Sequence, residues 1–167
     1  MTRTIKSISE YFKPCLSWSK VSSGSIAFRF YPAGFVFDVA GCCVFYNDNE
    51  AMLYDVGFLN SIVSKSILAT ISPTLNYEAG QIASLPIIRD RGKLFTVNEL
   101  TKSNINLSRT DWDSYETSWD FKRHPLICGE RTVAAAFVKW EHEAAERFFT
   151  LKQNEEELNR IFIDLYG

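Results

Sequence analysis

In the stretch SRTDWDSYETSWDF, residues 108–121, carboxylates crowd against tryptophans. Asp120, Phe121 and Lys122 have the D-x-K order of half a metal-dependent nuclease site, with Asp111 or Asp113 as the partner acid. That chemistry holds its acids and lysine on adjoining strands, whereas this stretch reads as a helix, so the match is weak. Further on, HEAAE starts at His142 and imitates the H-E-x-x-H zinc helix, but Glu146 stands where the second histidine belongs. With only two histidines in the sequence, a zinc site has little to draw on. A solvated helix face pairing Glu143 with Arg147 explains the segment better.

Other chemistry is missing from the sequence. It has no glycine-rich phosphate or dinucleotide loop, no G-x-S-x-G elbow and no recognisably spaced cysteine–histidine dyad. The glycine-rich cofactor turn and the N-P-P-Y or D-P-P-Y tetrapeptide of DNA methylases are absent too. The four cysteines, Cys15, Cys42, Cys43 and Cys128, form no C-x-x-C pair and read as reduced thiols. No apolar signal core opens the sequence, and no apolar run approaches the ~20 residues that span a bilayer. A cytoplasmic chain with no membrane contact is expected, with no catalytic residue, metal or cofactor of its own. Its final helix has barely finished when the sequence stops, which suggests a piece of a longer protein.

Which elements would position the aromatic stretch? Thr110 and Asp113 read as a capping box that opens a helix over 110–121. Trp112, Tyr115 and Trp119 then share one face, and Asp111 and Asp113 complement the helix dipole. The favoured reading is scaffold, with Trp119 buried against a core or a neighbouring domain.

Upstream, a short helix at SISEYFK is ended by Pro14, within otherwise mixed residues 1–23. SIAFRFYP, GFVFDVAG and CCVFYN then read as a meander of three short strands. AMLYDVGFLNSIVSKSILATIS is part strand and part helix, with Leu59, Ile62, Val63, Ser66, Ile67 and Thr70 on one face. GQIASLPII reads as a further strand and RDRGK as an exposed basic turn. A capping box at Thr96 and Glu99 predicts the next helix. Val133, Phe137, Trp140, Ala144, Phe148 and Leu151 mark a long helix, and Asn154 with Glu157 caps a last one. The fold class is therefore α+β: a β-rich domain with one buried helix over 1–94, then a helical bracing segment over 95–167.

A net charge of -2 gives no bulk attraction to nucleic acid. Any DNA contact must come from exposed cations, polar groups and aromatics in loops and turns. Candidates are Trp18, Ser19, Lys20, Ser22 and Ser23 before the first strand, Arg29 on a strand, and Asn76 and Tyr77 after Pro73. Arg89, Arg91 and Lys93 occupy the basic turn, and Lys122, Arg123 and His124 follow the aromatic stretch. For each, a solvated surface role is the favoured alternative.

The strings LSWSKVSSGSIAFRFYPAGFVFDVAGCCVF, GFLNS, SPTLNYEAGQIASLPI, RTDWDSYETSWDFKRHPL and NEEELNRIFIDLYG occur in one order. That order resembles the C-terminal part of the BREX-type adenine-specific DNA methyltransferases, PglX, which are related to type IIG restriction–modification enzymes. FLNS with GQIASLPI is also similar to the closing elements of target recognition domains. The resemblance implies a parent that methylates adenine N6 with S-adenosylmethionine, while this segment helps to choose the DNA site. It implies as partners double-stranded DNA, the remainder of the methyltransferase and other defence-system proteins. The family's catalytic motifs lie outside the matched strings, so none is carried over. A protein-interaction module of the same defence system, or a metal-dependent nuclease, are the alternatives.

Overall fold

In a computed structural model describing residues 7–167, the first element is a single 3-10 turn at Ile8–Glu10, in place of the expected short helix. The strands are β1 (Cys15–Ser19), β2 (Arg29–Tyr31) and β3 (Gly41–Val44), ordered β2-β1-β3 and antiparallel throughout. Leu16 stands opposite Phe30 on one side and Val44 on the other. The helices are α1 (Asn49–Asn60), α2 (Ile62–Ile71), α3 (Ala79–Ala83), α4 (Leu94–Trp112) and α5 (Val133–Tyr166). The arrangement is α+β, as expected.

The sheet corrects the meander. Its central strand is β1, drawn from residues read as mixed, where Leu16 and Trp18 turn into the core. Residues 35–40 form no strand. Asp38 Oδ1 accepts from the amides of Ala40 at 2.8 Å and Gly41 at 3.0 Å, a turn that offers the backbone an alternative to the ladder. The alternation of Ile26 and Phe28 does reach the core, at 4% exposure each. Phe28 nevertheless pairs with a side chain: Asn60 Oδ1 accepts from its amide at 3.0 Å, and Asn60 Nδ2 donates to its carbonyl at 2.9 Å.

α1 is helical from its start and buried nearly all round, with Tyr54 and Phe58 fully enclosed. Asp48 caps it, accepting from the Glu50 amide at 2.9 Å. Ser61 ends α1 and caps α2 by accepting from the Ser64 amide at 3.3 Å. The break rotates α2 away from the continuous face expected, so Ser64 and Leu68 are its buried residues, while Val63 and Ile67 are half-buried. GQIASLPII is not a strand either. Gln81 accepts from the Glu78 amide at 2.8 Å and opens the short α3, after which residues 86–90 belong to no helix or strand.

α4 begins before the expected cap, because the Lys93 amide donates to Asp90 O at 3.1 Å and turns the chain into the helix early. α5 is one helix rather than two, roughly 50 Å long at the usual rise. Asn154 does not cap a new helix: its amide donates to Ser103 at 3.1 Å and Asn104 at 2.8 Å on α4. Leu158, Ile161 and Phe162 of α5 join one hydrophobic cluster with Leu16, Trp18, Phe58 and Val97. Phe162 meets Tyr54 and Phe58 edge-on at centroid distances of 5.6 and 5.4 Å.

Gly57 lets α4 approach α1. A Cβ there would stand 2.6 Å from Thr101 Oγ1 and 3.3 Å from Val97 Cγ1. Gly57→Ala should therefore cost about 1–3 kcal/mol of stability in urea denaturation, as overpacking does. Thr101 Oγ1 is buried without a hydrogen-bond partner. Adding Thr101→Ala should recover most of that loss, and two simply additive penalties would refute this account of the contact.

Candidate functional site

α1 carries one carboxylate into the core. Asp55 is 2% exposed, and its charge is met from outside the helix. Arg89 donates Nε to Oδ1 at 3.0 Å and Nη2 to Oδ2 at 2.5 Å, while the Tyr46 hydroxyl donates to Oδ2 at 3.1 Å. The bond to Asp55 raises the Arg89 pKa above its ordinary value despite partial burial. Burial, and then the Asp55 charge, push the Tyr46 phenol upward. Both groups therefore hold their protons against the carboxylate.

Two tyrosines fix the same segment. The Tyr54 hydroxyl donates to Ile88 O at 3.0 Å, and the Ile88 amide donates to the Tyr166 hydroxyl at 2.9 Å. Tyr166 in turn donates to Pro86 O. Burial raises the pKa of both phenols. Pro86 O and both backbone groups of Ile88 are thus taken by side chains of α1 and α5 rather than by a ladder. Asp90 then accepts from the Gly92 amide at 2.6 Å, and the turn holds Arg91 and Lys93 at the surface. Neither has an ion-pair partner among the described residues, whereas Arg89 is committed to Asp55.

A second group converges from two distant stretches. Val21 bridges to Asn76, the Ser22 amide donates to Leu75 O at 3.0 Å, and the Tyr77 amide donates to Lys20 O at 2.7 Å. Lys20, Ser22, Ser23, Asn76 and Tyr77 therefore sit on adjoining loops. Lys20 Nζ is paired with Glu78 at 3.0 Å. Trp18 does not belong with them as a surface reader. It is 2% exposed, and its indole donates to Tyr77 O at 2.9 Å, so it holds the loop from beneath. Ser19 is exposed at the end of β1, and Arg29 is exposed on the outer strand β2 opposite Ser17. Lys122, Arg123 and His124 are exposed beyond α4, and no hydrogen bond or ion pair joins them to either group.

The aromatic stretch departs most from expectation. α4 ends at Trp112, and residues 113–121 form successive turns instead of a helix. Asp113 Oδ1 accepts from the Ser118 hydroxyl at 2.6 Å, and Ser118 Oγ accepts from the Asp120 amide at 3.1 Å. These local bonds outcompete the helical ladder. Trp119 is 98% exposed rather than buried, with Trp112 and Tyr115 also outside. Residues 112–121 thus form an exposed aromatic arm, and Phe137, Val138, Phe148 and Phe149 on α5 are exposed as well.

Carboxylates of the catalytic alternatives have local partners. Asp113 is engaged by Ser118, while Asp111 faces Arg147 at 3.7 Å, so Arg147 pairs across the helices rather than with Glu143. His142 lies on an exposed face with Glu146 at 3.5 Å. No group of three or more His, Cys, Asp or Glu side chains among the described residues could hold a metal ion. Two open concavities lie on helix faces, one around Ala134, Val138 and His142 and one around Glu99, Ser103 and Asn106. No described helix is long and apolar enough to cross a membrane.

Fold and site together define an α+β module that presents a pinned basic turn, adjoining loops and exposed aromatic side chains. The chain is similar to an adenine-specific methyltransferase PglX of Lacticaseibacillus casei (strain Zhang), 45% identical over 162 residues. It is also similar to an adenine-specific methyltransferase BrxX of Escherichia coli O9:H4 (strain HS), 30% identical over 159 residues. The matches cover 93% and 94% of this chain, which spans 13% of the length of each relative. At that length and identity the chain is homologous to part of these proteins. No protein-family model matches it.

Asp55→Ala should leave the Arg89 and Tyr46 donors without their acceptor and cost about 1–3 kcal/mol. Amide exchange should rise first at 88–90. Unchanged protection there would show that the tyrosines alone hold the segment.

Proposed function

We propose that this chain is the target-recognition segment, in the C-terminal part, of a cytoplasmic BREX-type adenine-N6 DNA methyltransferase acting in phage defence. The observation that carries the reading is the homology to two adenine-specific methyltransferases of which the chain spans 13%. In this reading catalysis and S-adenosylmethionine, which supplies the methyl group, belong to other parts of the longer protein. The segment meets double-stranded DNA through Arg91 and Lys93 on the pinned turn and through the adjoining loops at 20–23 and 75–77. Arg29, Lys122 and Arg123 are outlying contacts. Serines and Asn76 offer hydrogen bonds to base edges or phosphates, and the cations neutralise phosphate charge.

The exposed arm favours a second role in the same assembly. Trp112, Tyr115 and Trp119 suit a protein partner more than a solvent boundary. That partner is the remainder of the methyltransferase; another defence-system protein is the alternative.

Exchanging residues 16–90 of the full-length methyltransferase with those of a relative of different specificity should transplant the methylated site, read by methylation mapping of genomic DNA. Full methylation at the original site would overturn the reading. Trp119→Ala should shift the chain's own stability by no more than about 0.5 kcal/mol, as for an exposed position. In the full-length protein it should expose the arm to limited proteolysis while leaving the methylated site unchanged. An altered site would make Trp119 a DNA contact instead.

A further inference from the structure

We propose that Cys15 and Cys43 form a peroxide-oxidisable thiol pair that closes into a disulfide across the sheet. Cys15 opens β1 and Cys43 lies in β3, its antiparallel neighbour, with Ser17 paired to Cys43. Side chains two residues apart on a strand share a face, so both thiols stand on the same side, one diagonal step apart. Their Sγ atoms are 3.5 Å apart, and both cysteines are free. Closing the bridge brings the sulfurs to about 2.05 Å, and because diagonal neighbours stand farther apart than directly paired residues, the first residue of β1 must shift toward β3 as it closes.

The pair is asymmetric. Cys15 is 5% exposed, and burial followed by the contact with Cys43 pushes its thiol up to about 12. Cys43 is half-buried and is the sulfur a small oxidant reaches first. Cys42 alternates to the opposite face, with its thiol toward Val39 O at 3.9 Å, so it is poorly placed to compete.

The chemistry balances with hydrogen peroxide as the oxidant. Cys43 gives up its proton, and its thiolate attacks one peroxide oxygen. The S–O bond forms, the O–O bond breaks, and the released hydroxide takes up a proton as water. The Cys15 sulfur then attacks the Cys43 sulfenic sulfur. The S–S bond forms, the S–O bond breaks, and a second water leaves with the Cys15 proton. Two thiols are oxidised by two electrons in all, and one peroxide becomes two waters.

Peptide mapping of the full chain tests this after hydrogen peroxide treatment and alkylation under denaturing conditions. The expected product is one linked peptide pair carrying Cys15 and Cys43, lighter by two hydrogens and released by dithiothreitol. Cys42→Ser should retain it. Cys43→Ser should abolish it, and in Cys15→Ser the Cys43 sulfur should run on to sulfinic acid. Recovering Cys15 fully alkylated from the unmutated chain while Cys43 is over-oxidised would overturn the proposal. A Cys43 bond to Cys42 or Cys128 would do the same.

Discussion

A carboxylate inside a helix that is buried on every side sets the terms for its neighbours. Left unpaired, Asp55 would cost several kcal/mol, so the chain must bring donors to it. Arg89 supplies two and Tyr46 a third. That requirement decides where residues 86–90 lie, and Tyr54 and Tyr166 complete the fixing. With the turn held there, α4 must enter beside α1, at the place where Gly57 admits Thr101 and Val97. α5 then closes the cluster through Phe162.

The sequence shows what a residue is more readily than what it meets. Ile26 and Phe28 alternate as a half-buried strand should, and they are buried. Leu16 and Trp18 carry the same alternation within LSWS, a signal that was present but too short to stand out beside the aromatic-rich run that follows. GFVFDVAG has the composition of a strand, yet one aspartate bonding to two amides ahead of it is enough to turn the chain. In the stretch 108–121, spacings of three and four imitate a helical face. Serine and aspartate side chains nevertheless capture the local amides, and a periodic pattern gives no sign of that competition.

The candidate site divides along the same line. Arg91, Lys93 and the loops at 20–23 and 75–77 are surface groups because turn chemistry puts them there, and turn chemistry is visible in sequence. Trp18 and Arg89 look equally available by type, but the Tyr77 carbonyl and the Asp55 carboxylate claim them. The missed residue is Asp55 itself. A lone carboxylate inside LYDVGFL, apolar on all sides of a helix, must be neutralised by something, and an arginine in a later turn was the natural counter-ion to seek.

Charge then limits how such a module could hold a duplex. With a net charge of -2, Lys20 on Glu78 and Arg89 on Asp55, the pinned turn and the adjoining loops keep Arg91 and Lys93 as their cations without an ion-pair partner among the described residues. In the proposed reading the salt-dependent part of the affinity must come mostly from elsewhere in the longer protein. In that reading the segment would add the placement of hydrogen-bonding groups on loops tied by backbone bonds such as Ser22 to Leu75 and Tyr77 to Lys20. Discrimination between bases depends on that placement more than on total affinity. A rigid, nearly neutral reader needs a firm joint to the part that grips. The uncovered tryptophans of the arm are the surface on which such a joint could form without adding charge.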